Sequence, residues 1–394
     1  MDSPKVVIAS AVRTPIGAFQ GALAPLKATQ IGAAAIKGAL DAAQIAGADV
    51  QEVIMGCVLP AGLGQAPARQ AAIAAGVPMQ VPATTVNKMC ASGMRAIMLA
   101  ADSIRTGDTA IAVAGGFESM SNAPYLLPKA RAGMRMGHGE VLDHMLYDGL
   151  QSPFDGQLMG CFADDTARKY GFTRADQDTF AAESARRAVD AMRRDAFAAE
   201  ITPLMVKGRK GEVRVDKDEK PPSVDLAKIS TLKPAFHADG TVTAASSSSI
   251  ADGGAATVLL SAGEAQRRGV QSLAQIVGYT SFAQEPAWFT TAPAGAIAKL
   301  LVRLGWKSSD VHLYEVNEAF AVVAMAAMKD VGFGHDRVNV NGGAVALGHP
   351  IGATGARIVA TLVHALRARG GGRGIASLCI GGGEATALAV EVPS

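Results

Sequence analysis

The sequence contains an internal repeat, and this repeat limits the chain to folds built from two similar halves. Four pairs of short segments correspond in the same order and at nearly constant separation: 5–9 with 275–279, 49–56 with 310–317, 93–97 with 355–359, and 111–118 with 377–384. Self-similarity of this kind indicates a structural unit that occurs twice. We therefore predict two related halves, residues 1–119 and 272–394, with residues 251–271 returning to the first half.

Short apolar runs alternate with helix-like segments within each half. Residues 6–9 are typical of a buried strand, and residues 29–46 form an Ala-rich helical pattern with Thr29 as the expected N-cap. Residues 52–56 and 110–116 have the composition of further strands. Because strands and helices alternate along the chain, we predict an α/β fold.

The middle of the chain, residues 120–250, has no counterpart in the second half. It is richer in Pro, Met and charged residues, and we predict an insertion between the two halves that contributes substrate contacts. Its end contains the run Ser246–Ser249, followed by Gly253 and Gly254. This pattern is equally typical of a flexible linker and of a loop whose hydroxyls and amides contact a ligand.

Composition and charge exclude several classes of protein. The net charge is only +2, with no block of like charge, so we expect neither nucleic-acid nor membrane-surface binding. The most apolar run, residues 319–328, is too short to span a bilayer, and the N-terminus lacks a signal-peptide pattern. The four cysteines are far apart and lack the spacing of a metal site or a disulfide framework. We expect a cytoplasmic protein without a bound metal.

Cys90 stands immediately before a segment that reads as the start of a helix, in the run VNKMCASG at residues 86–93. A thiol at a helix N-terminus faces unpaired backbone N–H groups and the positive end of the helix dipole, which both favour the reactive thiolate. We therefore consider Cys90 a candidate nucleophile, whereas the alternative is a small buried apolar side chain.

The repeat places other reactive residue types at related positions. His349 precedes the second-half helix that matches the one after Cys90, so that His349 and Cys90 should face each other across the two halves. Cys379 lies at the carboxyl end of one predicted strand, and Asn317 ends another. Open α/β sheets place their sites at that edge.

These residue types suit nucleophilic catalysis when they lie together. A cysteine with a histidine forms a nucleophile–base pair, and a second cysteine can exchange a proton. The amide of Asn317 and the backbone N–H groups of residues 381–383, beginning with Gly381, are suited to stabilising an oxyanion. Taken singly, Cys379 is equally typical of a core position, His349 of a helix cap and Asn317 of a turn.

Six motifs occur in one order along nearly the whole chain: 86–93 (VNKMCASG), 115–122 (GGFESMSN), 317–321 (NEAFA), 339–344 (NVNGGA), 348–357 (GHPIGATGAR) and 379–383 (CIGGG). In sequence and spacing they resemble the motifs of the thiolase family. The resemblance implies a five-layer αβαβα fold of duplicated α/β halves with an inserted loop domain, usually assembled as a homotetramer, a dimer of dimers.

The resemblance also implies a reaction and the residues that perform it. Cys90 would take an acyl group from acyl-CoA, with His349 accepting its proton, and Cys379 would deprotonate the methyl group of a second acetyl-CoA. One oxyanion hole would use His349 and a water held by Asn317, and the other the N–H groups of Cys90 and Gly381. The products would be acetoacetyl-CoA and CoA, or the reverse by thiolysis of a short 3-ketoacyl-CoA. CoA is the acyl carrier, and no cofactor is implied.

Residue by residue, the resemblance assigns substrate contacts to Leu150, Leu158, Met159, Phe236, Ala244, Ser248, Ile250, Phe289, Ala319 and Phe320. Leu158 replaces a histidine that many acetoacetyl-CoA members of the family carry, and Phe289 stands where some have methionine. An arginine expected near the CoA nucleotide is absent, and we consider Lys220 and Lys228 as its substitutes.

Three other functions remain to be compared with this one. A degradative 3-ketoacyl-CoA thiolase of broader chain length would share every catalytic residue. A decarboxylating ketoacyl synthase of the same fold typically uses Cys-His-His, which disagrees with Asn317 and Cys379. A non-catalytic lipid-binding relative would be expected to lose Cys90, His349 or Cys379, all of which are present.

Overall fold

Ten strands form one mixed sheet in this computed structural model, which describes residues 4–208 and 211–394. In chain order the strands are β1 Val6–Arg13, β2 Gly17–Ala18, β3 Glu52–Gly56, β4 Ala83–Val86, β5 Ile111–Ser119, β6 Tyr125–Leu126, β7 Leu142–Asp143, β8 Leu204–Gly208, β9 Gly211–Val215, β10 Ala251–Ser261, β11 Ala274–Ala283, β12 Leu313–Val316, β13 Gly372–Ile380 and β14 Glu384–Val392. The short pairs β6–β7 and β8–β9 lie outside this sheet.

Ten α-helices accompany the strands in the described ranges. They are α1 Ala28–Ala43, α2 Pro67–Ala74, α3 Ser92–Thr106, α4 Met159–Tyr170, α5 Arg174–Arg193, α6 Ala262–Arg268, α7 Ala292–Leu304, α8 Ala321–Val331, α9 Ala344–Leu347 and α10 Ile351–Arg367. A π-helix at Met145–Leu150 was not anticipated from the sequence. Within the described residues, no helix is both long and apolar enough to cross a bilayer.

The order of strands shows the duplication directly. Outward from the central antiparallel pair β1–β11, one side reads β10, β5, β3 and β4, and the other reads β14, β13 and β12. The strand directions match on the two sides, with two antiparallel pairs followed by a parallel pair. Where β4 pairs with β3, the second half has a parallel bridge between Val338 and Tyr314. The predicted duplicated α/β fold is confirmed.

Five layers result from the way helices cover this sheet. The helices α3 and α10 pack together between the two halves and contact the inner face of both. The outer face of the first half is covered by α1 and α2, and that of the second half by α7 and α8. Because the strands are covered on both sides, they read as continuous apolar runs, and all eight residues of β1 are buried.

The central helix α10 shows why its sequence suits this position. All of its residues except His364 and Arg367 are buried, and a helix that is apolar all round belongs in a core. Small residues allow it to approach α3 closely. A Cβ atom added to Gly355 would lie 2.4 Å from the backbone nitrogen of Met94, and one added to Gly93 would lie 2.9 Å from that of Ala356. The two helix starts therefore meet at glycines that the repeat makes equivalent.

The loop domain is attached to the first half by a buried ion cluster. Arg13 in β1 is fully buried, and its Nε lies 2.5 Å from the Glu200 carboxylate while Nη1 and Nη2 bond Asp218 at 2.7 and 2.9 Å. Paired, hydrogen-bonded groups of this kind are very costly to break singly. Glu200 and Asp218 both belong to residues 120–250, so this contact holds the insertion in place.

The first helix begins differently from the prediction. Its N-cap is Lys27, whose backbone N–H donates to Gln30 Oε1 at 2.8 Å, and Thr29 lies inside the first turn. The prediction of Thr29 as N-cap is therefore wrong. The Gln30 side chain accepts a hydrogen bond from the free backbone N–H of the N-cap residue, as the glutamine of a capping box does.

Candidate active site

Cys90 lies in a tight turn that leads directly into α3. Met89 has a positive φ of 47°, and the Lys88 N–H donates to Ser92 Oγ at 2.8 Å across the turn. A non-glycine residue in this conformation costs about 1–3 kcal/mol and persists only where the surroundings impose it. The helix starts at Ser92, two residues after Cys90, and the thiol of Cys90 is half-buried. The strained turn thus presents the sulfur at the helix start.

The helix start does not make Cys90 an acidic thiol. Burial raises the pKa of Cys90 to about 11, although the backbone N–H groups of Gly381 and of Cys90 itself bond the sulfur and oppose this shift. The expectation that the helix N-terminus would favour a resting thiolate is therefore wrong. Desolvation outweighs the helix contribution, so that Cys90 needs a base to release its proton.

Cys379 is the second sulfur of the site. It is fully buried near the carboxyl end of β13, and burial raises its pKa well above the usual thiol value. A negative charge on Cys90 raises the pKa of Cys379 further, which shows that the two sulfurs lie within interaction range. Both groups are therefore thiols at rest. The structure places the two cysteines together as the repeat predicted.

His349 is held as a neutral imidazole with one free nitrogen. Its Nδ1 lies 2.6 Å from Thr354 Oγ1, and that hydroxyl donates its single proton to the Pro350 carbonyl at 2.9 Å. Nδ1 must therefore carry the proton, which leaves the lone pair on Nε2. Burial, aided by the Arg357 charge, lowers the pKa of His349 to about 3. Nε2 is buried and has no hydrogen-bond partner among the described residues, as expected of a base waiting for substrate.

Asn317 follows β12 and is fully buried. Its backbone N–H donates to the Ser377 carbonyl at 3.0 Å, which continues the parallel pairing with β13. In the part of the chain that the structure describes, neither its amide oxygen nor its amide nitrogen has a partner. Buried polar groups are normally satisfied, so this amide fits a site that holds water or substrate.

The neighbouring residue Glu318 fixes this segment to two other parts of the chain. Its carboxylate accepts hydrogen bonds from Asn339 Nδ2 at 2.8 Å, Ser184 Oγ at 2.7 Å and the Val345 N–H at 3.1 Å. These contacts join the motif at 317–321 to the motif at 339–344 and to α5 of the loop domain. Glu318 therefore positions Asn317 indirectly, a role that the sequence did not reveal.

The serine run at the end of the loop domain is held by backbone hydrogen bonds. The Ser246 carbonyl accepts a hydrogen bond from the Ala321 N–H at 2.8 Å, and the Ser249 carbonyl accepts one from the His349 N–H at 2.9 Å. Between them, the Ser248 N–H donates to the Ala319 carbonyl at 2.9 Å. The run is thus fastened to both sides of the site. The structure therefore disagrees with the flexible linker, whereas ligand contact by the hydroxyls and amides of this loop stays a prediction.

A cavity of about 250 Å³ opens beside the serine run, and we call it the serine cavity because Ser247, Ser248 and Ser249 line it. His349 and Ile351 also line it, and Cys90 packs against the apolar cluster to which Ile351 belongs. Except for Ala244, Phe289 and Ala319, all of the predicted substrate-contacting residues line this cavity. The apolar walls with a few polar groups are typical of a small-molecule site.

The three exceptions lie elsewhere. Phe289 is buried in the core of the second half, where its ring packs edge-on against Phe162 at 6.1 Å. Ala319 is buried and takes part through its carbonyl, as described above, and Ala244 is exposed. Sequence reasoning missed Met120, Leu146, Gly160 and Ile351 among the lining residues, and it marked Ser247 and Ser249 only as part of the serine run. Ile351 and Met120 belong to family motifs, whereas nothing in the sequence marks Leu146.

Lys220 does not take the place of the missing arginine. Its Nζ donates to the Val345 carbonyl at 2.6 Å, and burial lowers the pKa of Lys220 to about 8 despite the Glu318 charge. A lysine committed to the interior is not available to an external phosphate. Lys228 is exposed and lies 3.3 Å from the Asp225 carboxylate, so of the two lysines it is the more accessible to solvent.

Glu118 connects the start of α10 to the first half. Its carboxylate accepts the N–H groups of Val58 and Gly352 at 2.9 Å and of Leu59 at 3.1 Å. An acidic side chain at a helix N-terminus satisfies free N–H groups and the helix dipole. Burial nevertheless raises the pKa of Glu118 to about 7. This residue therefore holds the helix that follows His349 against the half that carries Cys90.

Comparisons with known proteins agree with this geometry. The family model described as "Thiolase, N-terminal domain" matches residues 6–263, and "Thiolase, C-terminal domain" matches residues 270–392. The "Acetyl-CoA acetyltransferase" of Pseudomonas aeruginosa is 48% identical over 97% of this chain and 98% of its own. "Acetyl-CoA acetyltransferase 2" of Arabidopsis thaliana is 50% identical over 98% and 97%, and the "Acetyl-CoA acetyltransferase" of Rhizobium meliloti is 47% identical over 99% and 100%.

Proposed function

The chain belongs to the thiolase family, and on this premise we propose that it is an acetyl-CoA C-acetyltransferase. It would convert two acetyl-CoA molecules reversibly into acetoacetyl-CoA and CoA. The observation that carries this proposal is the pair of interacting thiols, Cys90 and Cys379, beside a neutral imidazole whose Nε2 is free. The names of relatives that are 47–50% identical over nearly the whole chain support the same activity.

The first half-reaction acylates Cys90. His349 Nε2 accepts the Cys90 proton while the sulfur attacks the thioester carbon of acetyl-CoA, and the same proton then passes to the departing CoA sulfur. The N–H groups of Cys90 and Gly381 bond the Cys90 sulfur, so that the carbonyl oxygen of an acyl group attached through its carbon to this sulfur would lie within their reach. These two donors suit the oxyanion of the tetrahedral intermediate.

The second half-reaction forms the carbon–carbon bond. Cys379 passes its proton to His349, and the resulting thiolate removes a proton from the methyl group of a second acetyl-CoA. The carbanion attacks the acyl carbon on Cys90, and the released Cys90 sulfur takes the proton back from His349. Because burial raises the pKa of Cys379, its thiolate is a strong base, as a weak carbon acid requires.

The enolate oxygen formed in this step needs its own donors. His349 Nε2 carries a proton at this stage, and the unpartnered amide of Asn317 is positioned by β12 to hold a water molecule beside it. A water that bridges two polar groups stabilises charge nearly as well as a direct hydrogen bond. The reaction proposed here uses protein groups alone, with CoA as the acyl carrier and no metal or organic cofactor.

We also propose a homotetramer, arranged as a dimer of dimers, in the cytoplasm. Large apolar side chains are exposed along residues 125–141, namely Tyr125, Leu127, Met134, Met136 and Val141. The strand β4 forms one edge of the sheet, and exposed edges and apolar patches both favour association. All four cysteines are free, which suits a reducing compartment. Light scattering on the purified protein tests the subunit number.

The experiment that tests the proposed activity is trapping of the acyl-enzyme. Wild-type protein incubated with isotopically labelled acetyl-CoA should gain one acetyl group on Cys90, and Cys90→Ala should gain none. The wild type should also cleave acetoacetyl-CoA in the presence of CoA. A covalent adduct that persists at another residue in Cys90→Ala would overturn the nucleophile assignment.

A further inference from the structure

An ion pair joins the turn that carries Cys90 to the turn that carries Gly381. Lys88 lies two residues before Cys90, and its Nζ contacts the carboxylate of Glu384, which directly follows Gly383. The lysine belongs to the first half of the chain and the glutamate to the second half. Among the residues that the structure describes, neither side chain has another ionic partner. The pair therefore connects the two halves beside the proposed nucleophile.

The turn of Cys90, which we call the nucleophile turn and define as residues 88–92, is a rigid unit. The Ala91 N–H donates to the Lys88 carbonyl at 3.1 Å, and the Lys88 N–H donates to Ser92 Oγ at 2.8 Å. The Ser92 hydroxyl in turn donates to the Met89 carbonyl at 2.6 Å. Because the backbone of Lys88 is tied into this network, a contact that holds its side chain also holds the thiol.

The turn that contains Gly381, which we call the glycine turn and define as residues 381–383, joins β13 to β14. Gly382 and Gly383 have positive φ angles of 98° and 91°, and glycine has more backbone freedom than any other residue. A Cβ atom added to Gly382 would meet nothing within 4 Å, so the middle of the turn has no close neighbours. Its end is held by the Gln284 N–H, which donates to the Gly383 carbonyl at 2.8 Å, and by Glu384. Glu384 thus fastens the glycine turn to the first half.

The separation of the two turns determines whether the proposed oxyanion hole is complete. One donor, the Cys90 N–H, belongs to the nucleophile turn, and the other, the Gly381 N–H, belongs to the glycine turn. Both N–H groups bond the Cys90 sulfur in the resting protein, so the turns are already in contact. A misplacement of about 1 Å in a catalytic group can cost about a hundredfold in rate, and an oxyanion donor acts only when it is correctly aimed. A link between the turns therefore acts on the transition state.

We propose that the Lys88–Glu384 ion pair is a positioning element for acyl transfer, which holds the nucleophile turn and the glycine turn at the separation that completes the oxyanion hole. This inference rests on the proposed function and adds two positioning residues to the same site. Neither side chain lines the serine cavity, so the pair contributes to the rate of the reaction and not to binding of the acyl-CoA. Partly exposed ion pairs contribute little to stability, so the effect of this pair is on geometry.

Removing either charge tests this inference. Lys88→Met and Glu384→Gln keep the approximate size of the side chains. Each should lower kcat for thiolysis of acetoacetyl-CoA about tenfold and change KM less than about twofold, since only the transition state loses support. The double variant should lose no more than either single variant, because both changes break the same link. The exchanged pair, Lys88→Glu with Glu384→Lys, restores the link and should recover kcat to within about threefold of the wild type.

The matched control removes an ion pair of the same kind far from the site. Lys37 lies 3.0 Å from the Asp41 carboxylate on α1, and both side chains are exposed. Lys37→Met makes the same chemical change as Lys88→Met and should leave kcat within about twofold of the wild type.

A salt titration provides a test on the wild type itself. The Lys88 and Glu384 side chains are 34% and 33% exposed, so dissolved ions reach the pair. The screening length falls to about 3 Å at about 1 M salt, which weakens such a pair. Raising NaCl from about 0.05 M to about 1 M should lower kcat of the wild type at saturating substrate at least about threefold. The double variant has no pair to screen, so its kcat should change less than about twofold.

Three results would overturn the inference. One is a kcat of both single variants within about twofold of the wild type, and another is a double variant whose loss equals the product of the two single losses. The third is a salt response that is the same in the wild type and the double variant. A wild type that neither forms an acetyl adduct on Cys90 nor cleaves acetoacetyl-CoA would refute the proposed function itself, so the two failures are distinguishable.

Discussion

The imidazole of His349 and the hydroxyl of Thr354 are joined by a hydrogen bond of 2.6 Å, one helical turn into α10. The Thr354 hydroxyl is in turn directed at the Pro350 carbonyl, so that it accepts from His349 Nδ1 and fixes which ring nitrogen carries the proton. The free Nε2 that the proposed chemistry requires is therefore a consequence of a threonine that touches no substrate. Thr354 is a positioning residue.

Replacing Thr354 by valine should lower kcat/KM for thiolysis about 10- to 100-fold, or about 1.4 to 2.7 kcal/mol in activation free energy. Valine has nearly the same shape but accepts no hydrogen bond, so the tautomer with the proton on Nε2 is no longer disfavoured. Thr354→Ser keeps the hydroxyl and should retain most activity. Steady-state kinetics with a full pH profile provides the measurement, and an unchanged profile for Thr354→Val would show that the hydroxyl has no part in orienting the proton.

Replacing Cys379 by serine should separate the two half-reactions. Acetyl-Cys90 should still form, because His349 serves that step, while condensation and thiolysis should fall at least about thousandfold with loss of the general base. Rapid mixing with labelled acetyl-CoA measures the first step, and steady-state thiolysis measures the whole reaction. Equal losses in both measurements would reject Cys379 as the residue that handles the proton on carbon.

Alkylation of Cys90 should depend steeply on pH. Because burial raises the pKa of Cys90 to about 11, the thiolate fraction should increase about tenfold per pH unit from pH 7 to beyond pH 9. The rate constant for iodoacetamide in the Cys379→Ser background measures this without the second thiol, and free glutathione, which levels off near its own pKa, is the reference. A plateau below pH 7 would mean that a thiolate–imidazolium pair with His349 already exists at rest.

The sequence predicted which residues lie together in the site better than it predicted their pKa values. Cys90, His349, Cys379 and Asn317 each stand at the end of a strand or helix, and the repeat relates those ends. For this reason sequence reasoning placed them together, while their catalytic roles remain predictions. The pKa of Cys90 could not be predicted in the same way, since it depends on how much of the folded chain surrounds the sulfur, and local sequence records only the helix start.

The direction in which individual side chains point could not be predicted from the sequence either. Lys220 was considered for the CoA phosphates, but its stem points inward to the Val345 carbonyl. Phe289 was assigned to substrate, but it packs against Phe162 in the core. A lysine or phenylalanine near a site has the same sequence pattern whether it faces the cavity or the interior, so tertiary packing alone distinguishes the two.

Replacing Gly355 by alanine should destabilise the protein by about 2–3 kcal/mol, because the new methyl would meet the backbone of Met94 at 2.4 Å. The added group cannot be accommodated by rotating a side chain, so one of the two central helices must shift. Gly263→Ala in α6 is the matched control, since a Cβ atom there meets nothing within 4 Å. Urea unfolding monitored by circular dichroism compares the two, and equal stability of both variants would contradict the tight crossing.

The contribution of Glu118 to the unfolding free energy should fall as pH rises from about 4.5 to about 7. Burial raises the pKa of Glu118 from 4.5 to about 7 in the folded state, so the folded protein binds more protons than the unfolded chain within this window. The stabilisation by Glu118 is fully present below its pKa in the unfolded chain and is lost as pH rises through its pKa in the folded protein. The total loss is up to about 3 kcal/mol.

Glu118→Gln removes this titration, so the difference in unfolding free energy between the wild type and the variant should decrease between pH 4.5 and 7. The fully buried Glu315, with its pKa raised from 4.5 to about 8, contributes a slope of the same sign between pH 4.5 and 8 in both proteins and cancels in this difference. Urea titrations at several pH values measure both effects. A difference between wild type and Glu118→Gln that increases over this range would show that the three N–H donors outweigh burial at Glu118.

The two halves contribute unequally to the site, and this has a consequence for synthesis of the protein. Cys90 belongs to the first half, whereas Asn317, His349 and Cys379 all come from the last 78 residues of the chain, 317–394. During translation the first half emerges and folds earlier, holding a thiol whose base and second sulfur do not yet exist. Under the proposed mechanism the nascent chain therefore cannot transfer an acyl group until residues 317–379 have folded against α3.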